Sequence, residues 1–183
     1  LDDLIQAAIA EPDAILGGGT EMGSPDSICY HLIEKETGAQ FNYIVFDGAD
    51  EMNAGLLGNN IDVAIGNPGD FMELYKGGRI RLLGTFSEER LAQLADIPTL
   101  KEQGLDITYQ LTRGFAAPKD IPQEAVEVLE KCIQDFMETD EWKQYVESYT
   151  LTEQYMDSEE FTQFLEESTA EHTEYLKEMG LIE

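Results

Sequence analysis

Apolar residues recur along this chain with two alternating patterns, and the alternation outlines a fold. Leu4, Ile5, Ala8 and Ile9 are spaced so that they share one face of a helix. Glu11-Pro12 ends that run, because proline disfavours helical geometry in the residue before it. Ala14-Ile15-Leu16 then reads as a short buried strand that runs into a glycine loop, Gly17-Gly18-Gly19-Thr20-Glu21-Met22-Gly23-Ser24. Beyond the loop, Ile28, Cys29, Leu32 and Ile33 form a second helical stripe. Ser24 is placed to cap it, Pro25 to be its first residue, Asp26 to sit in the positively polarised first turn, and Gly38 to end it.

The same order repeats. A strand is predicted over 41–46, a helix over 49–57 carrying Met52, Leu56 and Leu57, and a strand over 61–65. Asn67-Pro68-Gly69 turns into a short helix with Phe71, Met72, Leu74 and Tyr75, and 80–86 is an apolar run suited to a strand buried on both faces. Strands that alternate with helices through short connections imply a mainly parallel sheet covered by helices, so the fold class is α/β. After a short helix near 100–103, residues 107–111 and 115–117 look extended. Past Pro118 and Pro122 the pattern becomes helical: Ala125, Leu129, Cys132, Ile133 and Phe136 share one face, and Trp142, Tyr145 and Val146 begin another. A last helix opens on Asp157 and Glu160, spaced as a capping box, carries Phe161, Phe164, Leu165, Ser168, His172, Tyr175, Leu176 and Met179 on one face, and is closed by Gly180. This second half has several helices and little sheet to pack them against.

Composition narrows the partners. With 38 acidic against 11 basic residues in 183, the net charge is −27. Nucleic acid and anionic membrane surfaces are excluded, since both need clustered Lys and Arg to displace counterions. An apolar share of 42% with 8 Phe and 8 Tyr is enough for a core, so the charge does not imply disorder. No run approaches the ~20 apolar residues of a membrane span, and the first residues do not resemble a signal peptide. Cys29 and Cys132 each fall on the apolar stripe of a predicted helix, which predicts two buried free thiols.

Few residues point to chemistry. Gly18 to Gly23 has the glycine spacing of a phosphate loop, but Ser24 stands where lysine is required. The dinucleotide fingerprint fails as well, because its third glycine would fall at Met22. Two readings of the loop stay open: a seat for one carboxylate or phosphate on the N–H groups of a helix N-terminus, or only a tight strand-to-helix turn. Asn67-Pro68-Gly69 follows another predicted strand and belongs at the same carboxyl edge of the sheet, as ligand contact or as simple turn. Arg113 is one of few cations and lies in an apolar extended stretch, where it is either a surface residue or a two-pronged carboxylate anchor. His31 and His172 are the only histidines. There is no nucleophile elbow, no paired Cys-x-x-Cys and no His-Glu-x-x-His, and Asp47, Asp50 and Glu51 do not have calcium-loop spacing. No catalytic residue, metal or cofactor is implied.

A series of short motifs resembles the extracytoplasmic solute receptors of tripartite tricarboxylate transporters, the Bug-type periplasmic binding proteins. A helix and a Lys-Pro-Gly-like turn precede a Gly-Thr-Ser-Gly-x-Gly-Ser loop in that family. Residues 4–10, Glu11-Pro12-Asp13 and Gly18-Gly19-Thr20-Glu21-Met22-Gly23-Ser24 are similar. Ile44-Val45-Phe46-Asp47-Gly48 resembles the family's Val-Pro-Tyr-Lys-Gly, and Leu56-Leu57-Gly58-Asn59-Asn60-Ile61-Asp62-Val63 resembles its leucine-rich helix end before Gly-Gly-x-Val-Asp. Gly78-Arg79-Ile80-Arg81-Leu82-Leu83-Gly84, Leu94-Ala95-Asp96-Ile97-Pro98-Thr99 with Glu102-Gln103-Gly104, Gly114-Phe115-Ala116-Ala117-Pro118 and Ser158-Glu159-Glu160-Phe161 continue the series in order.

The resemblance implies a periplasmic-binding-protein type 2-like fold. Residues 1–9 would be a lobe-connecting helix, 10–106 a complete second, ligand-binding lobe, and 107–183 a helix-rich return to a first lobe whose opening part has no counterpart before Leu1. It further implies a non-enzymatic receptor, periplasmic or extracellular and membrane-associated, with no direct membrane insertion. Such a receptor captures a small carboxylate and presents it to membrane permease subunits. Carried onto this sequence, the binding residues are Thr20, Gly23, Ser24, Asn67 and Arg113, with Gly19, Glu21, Pro25, Phe46 and Pro68 beside them. The chain departs from the family at Glu21 in place of the loop's middle glycine, at Asp47 in place of lysine, and at Thr112-Arg113-Gly114 in place of Trp-Tyr-Gly. These changes favour a monocarboxylate, or a ligand that joins a carboxylate to a positive or polar group, over a tricarboxylate. A stand-alone acidic interaction module without a small-molecule ligand is the alternative, and an enzyme acting on a small carboxylate is third.

Overall fold

A computed structural model describes residues 1–183, which divide into two compact units, Leu1–Leu111 and Thr112–Glu183. In the first unit, helix α1 (Asp2–Ala10) buries Ile5 and Ala8 and stops before Pro12, as the proline rule requires. Strand β1 (Ile15–Gly19) follows, then α2 (Pro25–Thr37), β2 (Phe41–Val45), α3 (Ala49–Leu57), β3 (Val63–Ala64) and α4 (Pro68–Lys76). The three strands pair in parallel in the order β2-β1-β3, with Gly18 opposite both Ile44 and Ala64. Helices connect every pair of strands, which is what parallel pairing demands.

Successive strand residues point to opposite faces, and the two faces have separate cores. Ile15, Tyr43 and Val63 pack against a cluster of Ile5, Ala8, Tyr30, Ile33 and Phe41. Their neighbours Leu16, Ile44 and Ala64 pack against Met52, Ile61 and Phe71. The sheet is thus sandwiched between the α1 and α2 side and the α3 and α4 side, the arrangement the alternating pattern predicts. Met52 and Ile28 are each 1% exposed.

Two expectations need correction here. Residues 80–86 form no strand; only Thr85 bridges, to Thr99, and the Leu83 carbonyl is taken by the Gln103 side-chain amide at 3.1 Å. Gly84 explains part of this: a side chain there would meet the Gln103 amide at 2.7 Å, so that side chain occupies the space beside the run. The extended stretches at 107–111 and 115–117 likewise pair with no strand, apart from single bonds such as the Tyr109 N–H donating to the Phe86 carbonyl at 2.9 Å. The short helix near 100–103 is one 3₁₀ turn, Lys101–Gln103.

The second unit consists of α5 (Gln123–Met137), α6 (Asp140–Ser148) and α7 (Ser158–Glu178) with their connections. The ends of α7 are well specified. Asp157 accepts from the N–H groups of Glu159 and Glu160 at 3.0 and 2.9 Å, and the Glu160 carboxylate accepts from the Asp157 N–H at 3.2 Å, completing the capping box. At the other end Gly180 has φ 71°, and the N–H groups of Gly180 and Leu181 donate to the carbonyls of Lys177 and Leu176 at 2.9 Å, a Schellman closure. None of the three helices has a buried residue. The stripe of Leu129, Cys132 and Phe136 on α5 is exposed, so the expectation of a buried Cys132 thiol is wrong while that for Cys29 holds. The helical period of the stripe holds, and its large side chains stay exposed.

Candidate functional site

Parallel strands bring their carboxyl ends to one edge of the sheet, and three loops rise there: 20–24 after β1, 46–48 after β2 and 65–67 after β3. The strand ladder continues just past the formal ends, with the Phe46 N–H donating to the Gly19 carbonyl at 2.9 Å and the Ile65 N–H to the Gly18 carbonyl at 3.2 Å. The sequence placed all of 17–24 in a loop. Instead Gly17, Gly18 and Gly19 belong to β1 and are buried.

Packing explains the glycines. A Cβ on Gly17 would lie 2.7 Å from the Tyr30 ring, one on Gly18 2.3 Å from the Ile61 side chain, and one on Gly19 2.3 Å from the Tyr43 hydroxyl. Each glycine therefore makes room for a large side chain pressed against the central strand. The Tyr30 hydroxyl can then donate to the carbonyls of Gly18 and Val63, both at 3.3 Å.

The loop itself is short and internally bonded. Gly23 has φ 85°, which a side chain would strain. Ser24 caps α2, its hydroxyl accepting from the Ser27 N–H at 3.4 Å, and Pro25 is the first helical residue. The Ser27 hydroxyl accepts from the Gly23 N–H at 2.9 Å and donates to the Ser24 carbonyl at 3.0 Å. At the root of the loop the Thr20 carbonyl accepts from the Tyr43 hydroxyl at 2.7 Å. Glu21 is exposed.

A regularity that sequence reasoning missed links all three loops. The Thr20 N–H and hydroxyl both donate to Asp26 Oδ2, at 3.0 and 2.9 Å. The Asp47 N–H donates to Glu51 Oε2 at 2.9 Å, and the Asn67 N–H and side-chain amide donate to Asp70 Oδ2, both at 3.2 Å. In every case the acceptor stands in the first turn of the helix that the loop enters, where a carboxylate also meets the positive end of the helix dipole. The spacing from Thr20 to Asp26 was legible, but nothing in it distinguished a carboxylate that turns back onto the loop from one that faces water.

Burial tunes the groups beneath the edge. Tyr43 is pushed up to about 12 by burial, with the Ser24 hydroxyl pulling it down and the Asp26 carboxylate pushing it up again. Burial, then the neighbouring Tyr43 and Asp26, raises Tyr30 well above the usual tyrosine range. The Cys29 thiol is raised by burial and secondarily by Asp26, so it stays protonated and inert.

The sequence-derived residues thus divide by place. Gly19, Thr20, Glu21, Gly23, Ser24 and Pro25 lie together on β1, its loop and the start of α2, and Asn67 and Pro68 lie at the end of β3 on the same edge. Phe46 shares that edge but turns its ring into the sheet, against the Gly55 side of α3 and under Gly18. Arg113 is exposed and belongs to the second unit. No three His, Cys, Asp or Glu side chains are grouped to hold a metal ion.

Comparison with known proteins settles the family. The model of the tripartite tricarboxylate transporter family receptor matches residues 1–181. The chain belongs to that receptor family. A curated relative from Cupriavidus necator, "UPF0065 protein in gbd 5'region", is 28% identical over 90% of this receptor-family chain, which spans 51% of the relative's length. Among solved structures, a TctC solute binding protein from Polaromonas superposes with a TM-score of 0.80 at 24% identity, over 97% of this chain and 61% of that one. R. palustris Rpa4515 with adipate superposes with a TM-score of 0.81 at 22% identity, over 98% and 60%. The receptor-family chain therefore shares their α/β periplasmic-binding-protein fold while covering about half to three fifths of these relatives' lengths.

Proposed function

We propose that this chain is the ligand-binding portion of an extracytoplasmic solute receptor that captures a small organic carboxylate and delivers it to membrane permease subunits. The observation that carries the reading is the family match over residues 1–181, joined to a sheet edge where the loops after all three parallel strands come together. The structural relative crystallised with adipate supports the ligand class. In this reading residues 10–106 form the binding lobe and 107–183 return to the other lobe. Thr20, Gly23, Ser24 and Asn67 line the edge, Arg113 supplies a two-pronged contact to a carboxylate, and Gly19, Pro25 and Pro68 shape the turns. No residue is assigned a catalytic role. The receptor works outside the cytoplasmic membrane, and no helix of this chain is long and apolar enough to cross one.

A thermal-shift screen of small organic acids and amino acids tests this directly. A ligand bound only by the folded state adds RT ln(1 + [L]/Kd) to stability, about 2.7 kcal/mol at a hundredfold excess over Kd. One or two acids among many should raise the melting temperature, and a folded Gly23→Phe variant should lose that response. Equal binding by the variant would remove the loop from the site.

A further inference from the structure

We propose that the turn closing α4 is a docking surface for an acidic segment of a protein partner, one that carries carboxylates at alternating positions along an extended stretch. The surface stands apart from the three loops and does not depend on what they bind. It is made of Lys76, Arg79 and Arg81, three of the 11 basic residues in the chain. All three are exposed, and none is paired with a carboxylate. Several other cations do pair: Arg90 holds Glu102, Lys101 holds Glu88 and Asp106, and Lys131 holds Asp135. Residues 74–87 contain no Asp or Glu, the longest such stretch in a chain with 38 of them. Glu73, the nearest acid before Lys76, forms no ion pair with any of the three.

The turn holds these cations in a fixed arrangement. Gly78 has φ 65°, and the N–H groups of Gly78 and Arg79 donate to the carbonyls of Tyr75 and Leu74, both at 2.9 Å, a Schellman closure of the helix. Arg79 lies back over that end: a Cβ on Gly77 would stand 3.8 Å from Arg79 Cγ, next to Lys76. Ile80 and Leu82 pack inward on the cluster of Met52, Ile61 and Phe71, while Arg79 and Arg81, alternating with them, stay exposed. Two residues of extended chain span about 6 to 7 Å. An extended segment with acids at alternate positions therefore matches the two guanidinium groups, each a two-pronged partner for a carboxylate. Since α4 starts at the carboxyl edge and runs back for nine residues, the patch lies about 13 Å along the helix from the Asn67 loop. The net charge of −27 opposes a large polyanion, an anionic membrane or a second copy of this chain. A short acidic segment fits within the screening length of about 8 Å at physiological salt, so it meets the patch and is shielded from the distant acids.

Two matched peptides test the surface. A fluorescein-labelled peptide of alternating Glu and Ser, and its counterpart with Gln for Glu, are titrated with the 183-residue chain at physiological ionic strength and followed by anisotropy. The parent should bind the Glu peptide about tenfold more tightly than the Gln peptide. The patch variant Lys76→Gln/Arg79→Gln/Arg81→Gln should reduce that preference to about twofold or less, whereas the control Lys119→Gln/Lys131→Gln/Lys143→Gln, with the same change in net charge, should keep it. All six side chains are exposed, so both variants should melt near the parent. Should the patch variant fail to fold, Arg79→Gln/Arg81→Gln leaves the helix end intact and should still reduce the preference to about threefold or less. A parent without the preference, a patch variant that keeps it, or a control that loses it equally overturns the proposal. Co-sedimentation with phosphatidylglycerol vesicles and sedimentation velocity of the chain alone address the other occupants. Vesicle binding or self-association that disappears only in the patch variant would assign the surface to a membrane or to a second copy, and would overturn the acidic-segment reading.

Discussion

The two units use similar helices in opposite ways. In the first, every helix presses apolar side chains onto a sheet, and residues such as Met52, Ile28 and Ala8 are removed from water. In the second, α5, α6 and α7 have equally regular stripes, and α6 and α7 are capped, yet Val128, Leu129, Phe136, Tyr145 and Tyr149 stay exposed. Phe136, Trp142, Tyr145 and Tyr149 do contact one another in sequence, edge-on, stacked and tilted in turn, at ring-centroid distances of 4.7 to 5.8 Å. Capping and periodicity specify where a helix runs; they do not supply the burial that makes it stable.

Amide exchange gives the largest expected contrast. Amides of β1 and α2 should exchange only through cooperative opening, and those of α5 and α7 orders of magnitude faster at low protein concentration. Equal protection in both units would break the comparison. Side-chain truncation comes next: Met52→Ala should cost about 2 to 5 kcal/mol in a denaturant titration, whereas Leu129→Ala, on the exposed stripe, should stay within about 0.5 kcal/mol. A large loss at Leu129 would show that its stripe is covered in solution. Gly18→Ala places a methyl group on Ile61 and should cost about 1 to 3 kcal/mol through overpacking.

Caps should behave alike in both units. Ser24→Ala and Thr139→Ala each remove a hydroxyl that accepts from a first-turn N–H, and each should cost about 1 kcal/mol of local stability. The smallest effect is on alkaline stability. Tyr43 titrates near 12 in the folded protein against about 10 when unfolded. Its contribution is fully present below pH 10 and is lost as pH rises through 12. Tyr43→Phe should flatten that part of the pH dependence of the first unit and leave the second unchanged.

Much of the first unit was legible because its signals are local. Ser24-Pro25-Asp26 at the start of α2, Gly38 at its end and Asn67-Pro68 before α4 each specify a boundary through neighbouring residues. Residues 80–86 misled because an apolar run carries no record of whether a partner strand exists, and the Gln103 side chain that took its carbonyl is 20 positions away. The glycines of β1 misled in the other direction. Three in a row suggest looseness, and only the positions of Tyr30, Ile61 and Tyr43 in space show them to be tightly packed. The loop was found and its resident carboxylates were not, since a first-turn Asp is the same letter whether it turns outward or folds back.

The packed glycines have a consequence for binding. They leave the central strand no lateral play, and the loop that grows from it is tied at its root by Tyr43 and Asp26 and at its far end by the Ser24 and Ser27 hydroxyls. A ligand arriving at such a loop has little disorder to remove, so the entropic toll that flexible recognition segments exact on each encounter is met here during folding. In the receptor reading, recognition at this edge is therefore closer to lock-and-key than to moulding.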